Sequence, residues 1–294
     1  MASNAHRSRA GRQWTTRILL GACILWTQSI HAQHLTPEQS LQRMKVAEGF
    51  RVQLVAAEPM VRQPVSIEYD ERGRLWVLQY LQYPNPKGLK RVQVDRYSRT
   101  RYDREPEPPP RGPSGADKLT ILEDTNLDGT MDVAKDFLTG LNLASGFVLG
   151  RGGVYVLQSP YLLFYRDKNR DDVPDADPEV IVKGFGLEDA SSVANSLTWG
   201  PDGWLYGLQG STVTASIDGI TFQQGLWRVH PGTHRFELVA DGGGNMWGLD
   251  FNAFGEAIAS TNVGGFVGLH LVPGGSYWKQ FEKHGPLRNP HAYG

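Results

Sequence analysis

One pattern recurs four times along this chain: a short apolar and aromatic run, a turn that contains glycine, and a second apolar run. The turn glycines are Gly73, Gly152, Gly203 and Gly255, and they lie 79, 51 and 52 residues apart. A second predicted hairpin follows each of the first three copies, at residues 118–138, 162–182 and 226–239. Each period therefore supplies four strands, which bury their faces only against neighbouring units. This predicts the blades of a β-propeller.

The predicted fold class is all-β, a propeller of four-stranded blades. The composition agrees, because 34 Gly and 18 Pro in 294 residues interrupt helices. Four blades are visible, and residues 288–294 show no closing strand, so we expect an incomplete six-bladed ring. Residues 50–56 alternate like another strand, which could join the last blade.

The first 32 residues are predicted to be a signal peptide. Four arginines without an acidic residue precede the apolar run 18–26, and Ala32 offers a cleavage site. We therefore expect export to the periplasm or the extracellular space. Membrane attachment is the alternative, through an uncleaved anchor or a lipid on Cys23. Residues 33–48 form a lead-in, and the propeller domain spans 49–294.

Charge and cysteine content exclude several function classes. Without residues 1–32 the chain has 26 basic and 31 acidic residues, so we expect no nucleic-acid partner. It also has no cysteine, since Cys23 is the only one. This excludes a cysteine nucleophile and a C-x-x-C-H haem attachment in this chain.

Two loops have the oxygen spacing of a calcium site. In the first, side chains stand at positions 1, 3, 5 and 9 and a carbonyl at position 7, and the second repeats the spacing 43 residues later. The predicted metal ligands are Asp124, Asn126, Asp128, Thr130 and Asp132 in the first loop, and Asp167, Asn169, Asp171, Val173 and Asp175 in the second. Such residues also favour tight turns that bind nothing, so both interpretations stay open.

The remaining features concern packing and the channel. The repeated aromatics are predicted to pack between blades: Trp76, Tyr155, Trp199, Trp204, Tyr206 and Trp247. The loops 184–195 and 242–247 precede inner strands, where propellers build ligand sites, although turn chemistry alone could explain them. The basic, Pro-rich interval 84–116 is predicted to be an exposed loop that shapes the mouth of the ring or docks an anionic partner.

Three segments carry a family resemblance: Phe50-Arg-Val-Gln-Leu-Val-Ala-Ala-Glu-Pro, Leu122-Glu-Asp-Thr-Asn-Leu-Asp-Gly and Thr198-Trp-Gly-Pro-Asp-Gly. Over about residues 36–294 the chain resembles the N-terminal propeller of a family of bacterial membrane-bound dehydrogenases, which is related to the soluble quinoprotein glucose dehydrogenases. The resemblance implies pyrroloquinoline quinone and Ca²⁺ as cofactors. It also implies a cytochrome c partner, or a C-terminal haem segment that this sequence lacks.

The resemblance also implies a histidine general base a few residues before the Gly-Pro-Asp turn. Ser191 and Ser192 occupy the corresponding positions, and a serine hydroxyl is not a base at neutral pH. Asn195, Arg228 and Asn245 are candidate cofactor or substrate contacts by position. Two hypotheses follow: an exported quinoprotein dehydrogenase that oxidises a sugar or alcohol, or a non-catalytic, calcium-clipped propeller that binds a glycan or a protein.

Overall fold

The computed structural model describes residues 35–97, 99–263, 265 and 267–279. The described residues fall into two units, divided between residues 44 and 45. The described part of the first contains helix α1 (Pro37–Arg43). Thr36 begins this helix, because its hydroxyl accepts from the Gln39 backbone while the Gln39 side chain accepts from the Thr36 backbone. The predicted signal peptide lies outside the described residues. No helix within these ranges is long and apolar enough to cross a bilayer.

The second unit is built from small antiparallel sheets. The first blade and the hairpin inserted in it contain β1 (Pro64–Tyr69), β2 (Leu75–Gln79), β3 (Arg91–Val94), β4 (Thr100–Tyr102), β5 (Asp117–Glu123) and β6 (Val133–Leu141). The second blade contains β7 (Ala144–Gly150), β8 (Gly153–Gln158), β9 (Tyr161–Arg166) and β10 (Glu179–Lys183). The third blade and its inserted hairpin contain β11 (Ala194–Trp199), β12 (Leu205–Gln209), β13 (Ala215–Ile217), β14 (Ile220–Phe222), β15 (Gly225–Val229) and β16 (Phe236–Asp241). The fourth blade contains β17 (Leu249–Phe251), β18 (Ala257–Ser260) and β19 (Gly268–Leu271).

The sheet order confirms the predicted fold class. Blades 1, 2 and 3 are four-stranded, with orders β1-β2-β5-β6, β7-β8-β9-β10 and β11-β12-β15-β16, and the described part of blade 4 has three strands. The four blades are arranged as a β-propeller, with β3-β4 and β13-β14 as separate two-stranded ribbons.

The four turn glycines share one backbone conformation. Their φ angles are +78° at Gly73, +74° at Gly152, +77° at Gly203 and +78° at Gly255. This left-handed region strains any residue with a Cβ atom, which is why glycine recurs where each first hairpin reverses. The repeat is therefore set by backbone geometry at these turns.

Hydrophobic cores fill the boundaries between blades. Trp76 lies in the core between blades 1 and 2, Tyr155 in the core between blades 2 and 3, and Tyr206 in the core between blades 3 and 4. Trp199 and Trp204 pack against these cores while staying partly exposed. Each of these five aromatics thus packs as predicted, and for comparison full burial of a Phe side chain contributes about 1.5–3 kcal/mol. Trp247 belongs to none of the cores formed by the described residues.

The segment before β1 lies on blade 1. Residues 51–57 form no strand in the structure, although their alternation predicts one. The backbone N–H of Met131 donates to the Val55 carbonyl at 2.8 Å, and Val55 packs against Leu75 and Val77. The segment therefore packs against a face of blade 1.

The interval 84–116 differs from the predicted loop, because it contains the β3-β4 hairpin and is tied to blade 2 and the chain that follows it. The Thr100 N–H donates to the Glu188 carbonyl at 2.7 Å. The Tyr161 hydroxyl donates to the Pro106 carbonyl at 2.7 Å. Most of its described residues are nevertheless exposed, and part of its charge is paired locally, as in Arg99 with Asp95.

Candidate ligand site at the channel mouth

The first strand of each blade lines a central channel. The strands β1, β7 and β11 are neighbours in this order, and β17 lies beside β11. Together they enclose a cavity of about 630 Å³. Its polar lining comes from Ser66, Glu68, Ser145, Ser196, Thr198 and Asp250.

A second cavity, of about 470 Å³, opens where the inner strands begin. We call it the channel mouth, and its lining residues are Gln63, Pro64, Val65, Tyr80, Tyr83, Ala190, Ser191 and Trp247. Strand order explains the location. Pro64 begins β1 and pairs with Gln79 at the end of β2, so the chain before β1 and the chain after β2 meet at the same end of the blade.

Aromatic rings form one wall of the channel mouth. The ring centroids of Tyr80 and Tyr83 lie 5.6 Å apart, and Tyr83 is 50% exposed. The hydroxyl of Tyr80 donates to the Ala190 carbonyl at 2.9 Å, and burial raises the pKa of Tyr80 well above its usual range. Tyr80 is therefore protonated at neutral pH, and its donor hydrogen is already used.

The donor hydrogens of Ser191 and Trp247, on the other wall, are used as well. The exposed Ser191 hydroxyl donates to Asp189 at 2.5 Å, and the other Asp189 oxygen accepts from Thr212. The indole N–H of Trp247 donates to the Ser191 carbonyl at 3.1 Å. The hydroxyl oxygens of Ser191 and Tyr80 thus offer lone pairs and no free hydrogen, so these two groups can only accept hydrogen bonds from a ligand.

Neither serine at the expected base position has the environment of a base. Ser191 lines the mouth, whereas Ser192 is 2% exposed and donates its backbone N–H to Asp189. The three histidines within the described ranges lie elsewhere, and none lines the mouth or the channel. His230 packs on Trp204, His234 faces Glu179 and His270 faces Glu256.

The structure brings Asn195 and Asn245 to the mouth end of blades 3 and 4. Asn195 is fully buried, and its amide donates to the Val193 and Met246 carbonyls. The Asn245 amide donates to the Ser191 carbonyl at 3.0 Å, while its Oδ1 is buried without a hydrogen-bond partner among the described residues. Both residues thus connect the walls of the mouth.

Arg228 lies apart from this pair. On β15 it stands opposite Tyr206, near the turn end of blade 3, whereas Asn195 stands opposite Leu208, near the mouth end. Its guanidinium pairs with Asp202 and Glu237 and lies 4.4 Å from the Trp204 ring centroid. These contacts account for Arg228 as a structural residue of blade 3.

The two calcium-type loops fold alike. In the first, Asp124 accepts from the N–H groups of Asp128 and Gly129 at 3.2 and 2.7 Å. In the second, Asp167 accepts from Asp171 and Asp172, both at 3.2 Å. The other positions of each loop also form equivalent hydrogen bonds within their own loop. These positions are Asn126, Thr130 and Asp132 in the first loop, and Asn169, Val173 and Asp175 in the second.

These bonds organise the loops without metal. Within the part of the chain that the structure describes, no three His, Cys, Asp or Glu side chains form a group that could hold an ion. Carboxylate oxygens keep spare lone pairs after accepting an N–H, so calcium binding at either loop stays a prediction.

Family assignment follows from one match. The family described as "Domain of unknown function (DUF7133)" matches residues 36–289. The chain belongs to this family. None of the curated proteins matches it. A crystal structure from Thermus thermophilus, described as a "putative oxidoreductase (glucose dehydrogenase)", is similar, with 14% identity, a TM-score of 0.42, and coverage of 79% of this chain and 68% of that chain.

Sequence reasoning missed several residues of the mouth in this DUF7133 chain. Tyr80 and Tyr83 lie just after the end of β2, outside the loops singled out as candidate ligand sites. The repeat pattern places Trp247 with the aromatics that pack between blades, whereas the structure places it at the mouth. Trp247 also lies in the predicted ligand loop 242–247, and Ser191 lies in the predicted ligand loop 184–195. Tyr83 is marked only by the proline that follows it.

Proposed function

We propose that this DUF7133 domain binds a neutral, hydroxyl-rich ligand, a sugar or related alcohol, at the channel mouth, and that it does so without catalysis. The observation that carries the proposal is the pairing of aromatic rings with hydrogen-bond acceptors whose own hydrogens are committed. Ser191 and Tyr80 supply the acceptors, and Tyr83 and Trp247 supply ring surface. Sugars present hydroxyl donors around an apolar ring face, which is complementary to both walls.

The quinone implied by the resemblance does not fit these residues. Pyrroloquinoline quinone is a tricarboxylate, and its carboxylates need cationic or N–H partners. Within the described ranges no Lys, Arg or His lines the mouth or the channel, and the charged lining residues are Glu68 and Asp250. Like charges would oppose the cofactor, so we derive no oxidation step for these residues.

Oxidation of the bound alcohol, with electrons passed to a haem c partner, is the competing hypothesis. It requires a base and a cofactor site formed outside the mouth residues described above. Export likewise rests on residues 1–32 of the sequence. We include export and a calcium clip at the loop 124–132 in the proposal, because an extracellular setting supplies millimolar Ca²⁺, which suits weak loop sites.

The test is binding of glucose to the full chain, measured by saturation-transfer NMR and calorimetry. We expect saturable binding at millimolar concentration. Replacement of Ser191 by Ala removes one acceptor and weakens binding about three- to tenfold. Tyr83→Ala removes the exposed ring and weakens binding by at least a similar factor. Tyr69→Ala is the matched control, because Tyr69 is also an exposed tyrosine but lies outside the mouth.

Three outcomes decide the proposal. Weaker glucose binding by Ser191→Ala and Tyr83→Ala, with unchanged binding by Tyr69→Ala, supports the proposal. Absence of saturable binding, or equal loss in all three variants, overturns it. Stoichiometric binding of added quinone with Ca²⁺, together with reduction of a dye on addition of glucose, would establish the oxidoreductase hypothesis instead.

A further inference from the structure

Below the mouth, corresponding residues of the four inner strands line the channel at one level. They correspond because each pairs with the equivalent position of the second strand of its blade: Glu68 with Trp76, Val148 with Tyr155, Thr198 with Tyr206, and Asp250 with Ile258. All four inner residues line the cavity of about 630 Å³. The propeller repeat therefore places two carboxylates and a hydroxyl at one height of the channel.

Neither carboxylate has a cationic partner. No Lys, Arg or His nitrogen among the described residues lies within 4.0 Å of Glu68 or Asp250, whereas Asp70, Glu71 and Asp172 each pair with an arginine. Glu68 accepts the Leu149 N–H at 3.1 Å and Asp250 accepts the Phe251 N–H at 2.8 Å. Each carboxylate thus keeps an oxygen with no hydrogen bond from the described chain.

Two indole rings complete the lining. Trp199 and Trp247 are both half-buried and both line the cavity. Trp199 is held in place, because its N–H donates to the Leu149 carbonyl at 2.8 Å. Aromatic rings beside carboxylates attract organic cations through charge and ring quadrupole together.

We propose that this level of the channel binds a small organic ammonium, an amine-bearing molecule, through Glu68 and Asp250. A bare metal ion fits less well, because the cavity is many times the volume of an ion. Moreover, no group of three acidic or histidine side chains forms there among the described residues. The site lies beneath the mouth and shares only Val65 and Trp247 with it.

The test uses two probes of equal size on the full chain. Cyclohexylamine is protonated at pH 7, and cyclohexanol is its neutral counterpart. We expect cyclohexylamine to bind at least tenfold more tightly by calorimetry, with an affinity that falls as NaCl is raised. Glu68→Gln and Asp250→Asn each weaken amine binding about fivefold or more and leave cyclohexanol binding unchanged.

Both substitutions keep side-chain shape and an oxygen that can accept the local N–H, so folding is preserved and is checked by thermal unfolding. Glu123→Gln is the matched control, because Glu123 is an exposed carboxylate at the end of β5 that does not line the channel. Equal affinity for the two probes overturns the proposal, as does amine binding that survives both channel substitutions. Displacement of the amine by one equivalent of CaCl₂ would also overturn it, in favour of a metal site. Neither probe is a sugar, so the result is independent of glucose binding at the mouth.

Discussion

The guanidinium of Arg74 holds the carboxylate of Asp172 through two hydrogen bonds, of 2.8 and 2.9 Å, across the boundary between blades 1 and 2. Arg74 also pairs with Asp70 in its own blade at 2.8 Å. Asp172 stands where the first calcium-type loop has Gly129, and both residues have positive φ, 63° and 89°. Aspartate is unfavourable in this left-handed turn conformation, but at position 172 it forms a salt bridge with Arg74 of the neighbouring blade.

Asp172→Asn is expected to lower the free energy of unfolding by about 1–2 kcal/mol, because it replaces one of the two carboxylate partners of the largely buried Arg74 by a neutral amide. Asp172→Gly should cost less, since glycine relieves the strain of the left-handed conformation. Urea unfolding measures both. Arg111→Gln is the control, because its pair with Glu107 is exposed and long, at 3.5 Å. An equally large loss of unfolding free energy in Arg111→Gln would contradict a stabilising role for the Arg74–Asp172 pair.

The same pair predicts a pH dependence. The Arg74 hydrogen bond holds the pKa of Asp172 below its usual value of 3.8. A lowered pKa contributes stability above the unfolded value, and this contribution disappears as pH falls through the folded value. The stability difference between wild type and Asp172→Asn should therefore shrink below about pH 4. A constant difference from pH 7 to pH 3 would refute it.

For the buried carboxyl group of Asp117 we expect the opposite dependence of stability on pH. It is fully buried and accepts the N–H groups of Gln82 and Ala144 at 2.5 and 2.8 Å. Burial raises its pKa from 3.8 to about 6. The contribution to stability is therefore complete below pH 3.8 and is lost as pH rises through about 6. The full change is about 3 kcal/mol. Asp117→Asn should remove this part of the pH profile in urea titrations at pH 4.5, 6 and 7.5. Parallel profiles would show that Asp117 does not titrate there.

Calcium is expected to raise the midpoint of thermal unfolding if the loop 124–132 binds it. At a concentration 100 times the Kd the stabilisation is about 2.7 kcal/mol, or several degrees for a domain of this size. Asp128→Ala should abolish the shift. Asp177→Ala, an exposed aspartate outside both loops, should retain it. An unchanged midpoint across millimolar Ca²⁺ would assign both loops a purely structural role.

The inserted interval 84–116 is expected to loosen when its bond to blade 2 is removed. Tyr161→Phe deletes the hydroxyl that donates to Pro106 and should speed trypsin cleavage within this arginine-rich segment, with a loss of about 1 kcal/mol. Tyr165→Phe, further along β9, is the control. Equal cleavage rates for wild type and Tyr161→Phe would mean that the hairpin is anchored by its other contacts.

Most of the fold could be predicted from the sequence, but little of the site. The glycine-centred repeat specifies the hairpins and the four-stranded blades. The turn at Gly73 and its equivalents needs a positive φ, which favours glycine, so this local requirement is visible in the sequence. The spacing of the two acidic loops is local as well, and both fold alike. Alternation at residues 50–56 predicts a strand that does not form, since pairing depends on which edge is available, and these residues lie on blade 1 instead.

Which distant residues meet depends on the packing of the blades. Tyr80, Ser191 and Trp247 come from three blades or their connections. The loops that contain Ser191 and Trp247 are predicted ligand loops, but nothing in the local sequence places Tyr80 beside them. Strand register within blade 3 separates Arg228 from Asn195, which a positional argument groups together, because the two lie near opposite ends of that blade. Repeats are set by interactions within a few residues, whereas a channel is set by how blades pack around an axis. For this reason the architecture of the chain can be predicted from its sequence, whereas its binding surfaces are defined only by the packing of the blades.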